Sequence, residues 1–475
     1  MPSTPSPPSA KHRSLAARIL RPAVLCLLAF SASQTVLRAQ SPPLTVEQAV
    51  NLALEKYPVL GVSQAQVRAA SAGIQTARTS FLPRVDALAQ VNRATRNNVA
   101  GLLFPQGLST ISGQAMEENS MTSVWGTTVG FLVAWEPFDF GFRHANVAVA
   151  EAAKTRANAA FARTRLEVAT LAADSVLTLL AAEQTVRAAE AGVERSEVFL
   201  KVVESLVQSK IRPGVELSRA RAENSAAKTQ LIQSRRAVAV AQALLAGLLG
   251  VEPAEVKIAA GHLVDLPPVA GKPTGSVVQN PSALEQDTAI EEAKARLKVL
   301  ERAYYPRFSV LGSTYARGTG AHSNGSTMGG LNGLGPNIAN WAVGFTATLP
   351  IMEYASLRAR KESEAARVQM ETSRYRQILV DLKGRLDAAL AAAEAARQVA
   401  DNTPVQVESA AATHRQSVAR YRAGLGTVLE VSNAQRLLTQ AEIDDSLAKL
   451  GVWRALLAVA STEGDLQPFL QRASR

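Results

Sequence analysis

The sequence repeats itself, and that repeat limits the folds open to it more than any composition does. Pro58 and Pro83 stand 25 residues apart, as do Pro281 and Pro306. A shift of 223 superposes the two pairs and also matches Arg84 with Arg307 and Ala72 with Ala295. Val129-Gly130-Phe131 returns as Val343-Gly344-Phe345 at a shift of 214, with Asp139 falling on Glu353. Gly214, Leu217, Ala222 and Glu223 fall on Gly426, Leu429, Ala434 and Gln435 at a shift of 212. The small drift in shift is what loops of unequal length produce. The chain therefore reads as two tandem copies, 42–255 and 280–465, joined by a linker at 256–279 and followed by a tail at 466–475.

Each copy has the same internal order. A helix leads, from Thr45 to Phe81 with a break near Pro58, and from about Ser282 to Tyr305. Thr45 and Gln48 have the spacing of a capping box, and Pro83 and Pro306 stop the helices. Alternating segments predict strands at 84–93, 124–135, 307–317 and 341–349, paired as two hairpins with long loops. Strands of roughly ten residues have the length that a tilted membrane strand needs. Very long helices follow, over 143–211 and 215–249, then 355–423 and 427–460. Val186, Val193, Leu200 and Val207 keep a seven-residue step, as do Leu379, Leu386, Ala393 and Ala400, which predicts coiled-coil seams. A helix of about 70 residues spans on the order of 100 Å, too long for a compact globule. Arg212-Pro213-Gly214 and Gly424-Leu425-Gly426 turn each helical pair back on itself.

Residues 1–39 read as an export signal. They hold Lys11, Arg13, Arg18, Arg21 and Arg38 and no acid, so removing them lowers the formal charge from +11 to +6. Ala39 precedes the expected cut, and the mature chain begins near Gln40 or Ser41. The single cysteine, Cys26, lies in the apolar run with bulky Leu25 before it, which argues against lipidation. The mature chain is then free of thiols and disulfides. No later stretch of 18 uncharged apolar residues occurs, so any membrane crossing is made by strands.

Catalytic and metal chemistry have no visible carrier. His12, His144, His262, His322 and His414 are scattered without ligand spacing. Gly329, Gly330 and Gly333 lack the lysine and following helix of a phosphate loop. The basic charges alternate with acids along helices and read as solvated faces, not a nucleic-acid surface. No enzyme, cofactor or nucleic-acid partner is expected.

Four strands do not close a barrel, and open strand edges are not tolerated in lipid. Copies must then share one: two would give eight strands, three would give twelve and a conducting lumen. A structural coiled-coil envelope protein or adhesin would explain the helices and the export signal, but not hairpins repeated in step with the helices.

The run Leu44-Thr45-Val46-Glu47-Gln48-Ala49-Val50, with Ala53-Leu54, Tyr57-Pro58, Ala77-Arg78 and Leu82-Pro83-Arg84, resembles the opening of TolC-like outer-membrane efflux proteins. The segments Arg212 to Glu223 and Tyr421 to Gln435 resemble that family's helical turns. The similarity covers essentially all of 42–465. It implies a mainly α fold built from two repeats, with a long coiled-coil helical barrel and a twelve-stranded transmembrane β-barrel shared by a homotrimer. It also implies a mixed equatorial region, here 251–281 with the C-terminal tail. The implied role is a passive exit duct in the outer membrane of a Gram-negative-type bacterium. The duct extends through the periplasm to an adaptor and an inner-membrane pump, in tripartite efflux or type I secretion.

Carried over residue by residue, the resemblance makes Tyr421 a gating tyrosine at the tip and Glu430 an entrance acid. Asn433 stands where a second acid often lies, and Gly426 where a gating arginine can lie. A threefold ring of Glu430 carboxylates would favour cations. Gly214, Gly424 and Gly426 permit close backbone approach, and with Leu217, Leu429 and Ala434 they form candidate adaptor-docking turns. Trp125, Trp135 and Trp341 are expected at the membrane interfaces among Phe81, Phe131, Phe138, Phe140, Tyr304, Phe345 and Tyr354.

Overall fold

A computed structural model describes residues 43–95, 121–268, 276–322 and 326–474. The expected export signal with Cys26 and most of the first long loop lie outside the described residues. The leading helix is two helices, α1 (Val46–Lys56) and α2 (Pro58–Thr79). The Thr45 hydroxyl accepts from the Gln48 amide at 3.2 Å, and the Gln48 carboxamide accepts from the Thr45 amide at 3.0 Å, completing the capping box. Pro58 occupies the first turn of α2, and Pro281 does the same in α5 (Pro281–Arg302). The missing N–H of a proline costs nothing at that position.

Four strands, β1 (Arg84–Thr95), β2 (Ser123–Phe138), β3 (Arg307–Thr319) and β4 (Ile338–Thr348), form one antiparallel sheet in sequence order. β2 is longer than the alternation predicted, because an irregularity between Trp135 and Phe138 lets pairing resume beyond Pro137. β4 begins earlier and ends one residue sooner than predicted, its register set by Arg307 opposite Thr348.

The long helices are α3 (Phe142–Gln208), α4 (Gly214–Leu249), α6 (Tyr354–Arg422) and α7 (Val428–Glu463). α6 passes through Pro404 without a break. The seven-residue seams lie at half-buried positions except Ala400, which is buried. In α3 the fully buried layer near the tip is Phe199 and Val203, beside the predicted Leu200 and Val207. A helix packed on several neighbours buries a broader face than the narrow two-helix stripe that a heptad predicts. α4 and α7 end at Gly250 and Gly464 with φ of 62° and 92°, left-handed caps that glycine adopts without strain.

The main core lies where α3, α4 and α7 meet α1 and the chain around 251–266. Leu177, Leu179, Leu180, Leu245, Leu249 and Trp453 are fully buried there. Leu44 and Ile258 form a parallel bridge, and the Trp453 indole donates to the Asp265 carbonyl at 3.1 Å. The expected C-terminal tail is instead a helix, α8 (Gln467–Ser474), whose Phe469 and Leu470 enter this core. Asn280 joins two helix ends: its carbonyl accepts from the Ser282 amide, while its amide donates to Ser461 and Thr462 at the end of α7. Among the described residues no helix is long and apolar enough to cross a membrane.

Candidate functional site

Two places concentrate chemistry outside the core: the sheet and the turns at the far end of the helices.

The strand register sorts the sheet into two faces. One carries Val85, Ala87, Ala89 and Val91 of β1 beside Val129, Phe131, Val133 and Trp135 of β2. It continues through Val310 to Phe345, Val343 and Trp341 of β4. Phe345 and Trp341 are 83% and 80% exposed. Water is a poor neighbour for a contiguous apolar surface of this size. The other face carries Arg84, Asp86, Gln90, Asn92, Thr128, Ser313, Tyr315 and Asn340. Trp125, Trp135 and Trp341 all lie on the apolar face. Trp125 packs under Arg93 at 5.3 Å, and Trp135 donates to the Phe81 carbonyl at 3.1 Å. Trp125 and Trp135 are ten residues apart in β2, about 33 Å along a strand. At a tilt of about 40° that becomes about 25 Å, the height of an outer-membrane apolar band.

At the helical end, the turns of the two copies lock together. Tyr421, at the end of α6, is 1% exposed, and its hydroxyl donates to Glu216 Oε2 at 2.9 Å. Arg212 lies over the Tyr421 ring at 4.9 Å and donates to the carbonyls of Tyr421 and Gly426 at 3.2 and 3.3 Å. Its guanidinium also stands 3.6 Å from Glu216. Burial, reinforced by the bond to the Glu216 carboxylate, pushes the Tyr421 phenol up to about 12, so it remains a donor at every physiological pH. Phe199 meets the ring edge-on at 5.1 Å. Arg212 and Glu216 were not singled out by sequence reasoning. Their signal was available: a charged pair at i and i+4 flanks the Pro213-Gly214 turn, and neither residue has a charged counterpart in the second copy.

The remaining tip residues fall around this latch. Gly426 is buried, and a side chain there would bring its Cβ to 3.2 Å from the Tyr421 amide nitrogen. The guanidinium at this point thus comes from Arg212 of the other turn. Gly424 has φ of 82°, a left-handed conformation that favours glycine. Gly214 begins α4 in open space, and Leu217 packs beneath the latch while Leu429 is 38% exposed. Glu430 and Asn433 are both exposed on α7. Glu430 is the third residue of that helix, its amide bonded to the Thr427 hydroxyl. Asn433 accepts from Arg436.

Farther up the coil, Arg195 forms a two-pronged pair with Glu442 at 2.9 and 2.7 Å and donates to Thr439. His414 sits beside this cluster with its Nε2 buried and unpartnered. Burial, then the Arg195 charge, hold its imidazole below the usual range, with Glu442 opposing.

A two-copy chain with one amphipathic hairpin pair and two very long helical pairs matches one family. The model of the outer membrane efflux protein family fits residues 49–251 and 276–464. The chain belongs to that family: it is an outer-membrane efflux channel protein of TolC-like, mainly helical fold, not an enzyme. Among its relatives, Nodulation protein T of Rhizobium leguminosarum bv. trifolii is 23% identical over 415 residues, covering 81% of this chain and 82% of that protein. The pyoverdine export outer membrane protein OpmQ of Pseudomonas aeruginosa is 24% identical over 412 residues, covering 84% and 81%. The solved outer-membrane channel OprN has the same fold, with a TM-score of 0.71 at 20% identity, covering 88% of this chain and 89% of that one.

Proposed function

We propose that three copies of this chain assemble one exit duct, with twelve strands closing a barrel in the outer membrane and the long helices forming a tunnel into the periplasm. The carrying observation is the open sheet. β1 and β4 each have a neighbour on one side only, and one face is mainly apolar, with Arg93 and Thr127 near its Trp125 end. Unpaired strand edges cannot face lipid, and edge-to-edge closure by further copies satisfies every backbone group at once. Trp125, Trp135 and Trp341 then border the lipid. The latch of Tyr421, Glu216 and Arg212 stands at the periplasmic tip and holds the duct shut. The turns at Gly214, Leu217, Gly424, Gly426 and Leu429 dock a periplasmic adaptor coupled to an inner-membrane pump, as in tripartite efflux or type I secretion. The duct itself is passive, and the pump supplies the energy.

Mass photometry in detergent is expected to give three chains per particle, and planar-bilayer recordings a conductance that rises in Tyr421→Phe. A stable monomer with full strand content would refute the shared barrel.

A further inference from the structure

Glu430 by itself would give the entrance a cation preference. The charges around it point the other way. Lys210, Arg219, Arg420 and Arg422 are exposed at the two turns. None has a carboxylate within ion-pair distance among the described residues; Arg420 donates only to the Leu425 carbonyl. The nearby acids are already engaged: Glu204 with Arg221 at 3.1 Å, Glu216 with Arg212 and Tyr421, and Glu223 with Arg436 at 3.9 Å. Of these four acids, Glu430 alone has no cationic partner among the described residues. Its carboxylate folds back over its own turn, with one oxygen 3.5 Å from the Thr427 hydroxyl and the other 3.2 Å from where a Cβ on Gly426 would lie. There it faces the positive end of α7, which absorbs part of its field. Four free cations thus stand against one carboxylate turned toward its own helix.

We propose that this tip is an anion-attracting entrance, and that the solutes it admits include small organic anions bearing carboxylate or phosphate groups. The inference rests on the duct reading above, because only assembly brings six such turns around one axis. Each copy contributes a surplus of positive charge, and charges of one sign lining a confined mouth add their fields and concentrate counter-ions there. Like charges in neighbouring copies would also resist closure of the tip.

The test uses the full trimer in planar bilayers, in a Tyr421→Phe background that weakens the latch without changing charge. A KCl gradient should give a reversal potential on the chloride side. Inositol hexakisphosphate added at the helical end should block the current. Neutralising Lys210, Arg420 and Arg422 together to Gln should move the reversal potential toward zero. It should also raise the half-blocking concentration by roughly tenfold, the low end of what a focusing cleft does to encounter with a counter-ion. A chloride preference unchanged by the triple variant would place selectivity elsewhere and overturn the proposal, as would a cation preference in the parent. A trimer that inserts but passes no current would sink the duct reading, and this inference with it.

Discussion

α3 and α6 occupy equivalent places in the two copies and have almost the same length, 67 and 69 residues. Yet α3 buries fifteen side chains and α6 six. α3 packs along α1, α2, α4, α5 and α7, whereas α6 packs along α5, α7 and the turn at 277–279 and reaches α3 and α4 through side chains toward its end such as Tyr421. Val380, Val399 and Val405 of α6 are 70%, 54% and 61% exposed. Duplication therefore preserved the shape of the helical pair while the burden of the core moved to the first copy. The second copy keeps a large surface for whatever lies beside the chain.

The helix entrances show the same divergence at single residues. Asp139 accepts from the amides of Gly141 and Arg143 and from the Arg143 side chain at 3.1, 2.8 and 2.7 Å. Burial pushes its carboxyl up, but these Arg143 and Gly141 bonds outweigh burial and leave it below the ordinary range. At the equivalent points of copy two stand Glu353, which makes no cap, and Leu357, which is buried. Asp139→Ala is expected to cost about 3–5 kcal/mol, because it strands a buried guanidinium. Glu353→Ala should stay within about 0.5 kcal/mol. Denaturant unfolding followed by the helical signal compares them, and equal losses would erase the contrast.

A slightly smaller effect compares the helix bodies. Leu177→Ala in α3 should cost about 2–5 kcal/mol through lost burial and a residual cavity. Val380→Ala in α6 should stay within about 0.5 kcal/mol in the dissociated chain. Repeating both in the assembled particle sharpens the comparison: a loss at Val380 that appears only on assembly would place this face of α6 against a neighbouring copy.

At the tip, Tyr421→Phe leaves a half-buried Glu216 oxygen without its phenol donor, a loss of about 1–3 kcal/mol. Hydrogen exchange at residues 419–428 should rise while exchange near Leu177 stays unchanged. Acceleration across both regions would show that the latch supports the whole coil and not only its end.

The smallest expected effect is pH-dependent. His414 is held neutral by burial and by Arg195, with Arg415 acting the same way and Glu442 opposing. The unfolded chain therefore takes up this proton first as pH falls. The contribution of His414 to stability is full above an ordinary value of about 6.5 and declines as pH drops below it toward the lower folded value. Local exchange around residue 414, corrected for intrinsic rates, should quicken between pH 7.5 and pH 5.5, and His414→Gln should remove that dependence. A dependence that survives the substitution would assign it to another group.

The sequence by itself determined the elements and their order. Pro58 marked a helix break, Pro83 and Pro306 marked helix ends, the glycine turns marked reversals, and alternation marked the strands. These signals act between residues a few positions apart, so a one-dimensional reading suffices. The register of the sheet decided which residues share its apolar face. Strand ends were less legible: pairing past Pro137 depends on a partner strand about 170 residues away. The tertiary structure alone decided which of two similar helices carries the core, because burial depends on how many neighbours surround a helix and not on its own periodicity. It also decided the tip. Tyr421 was singled out through the family resemblance of the segment around its turn, but its partners Arg212 and Glu216 are more than 200 residues away in the chain. Only the packing of two helical hairpins side by side brings a guanidinium, a phenol and a carboxylate within bonding distance, whereas Glu430 turns back locally onto the Thr427 cap of its own helix.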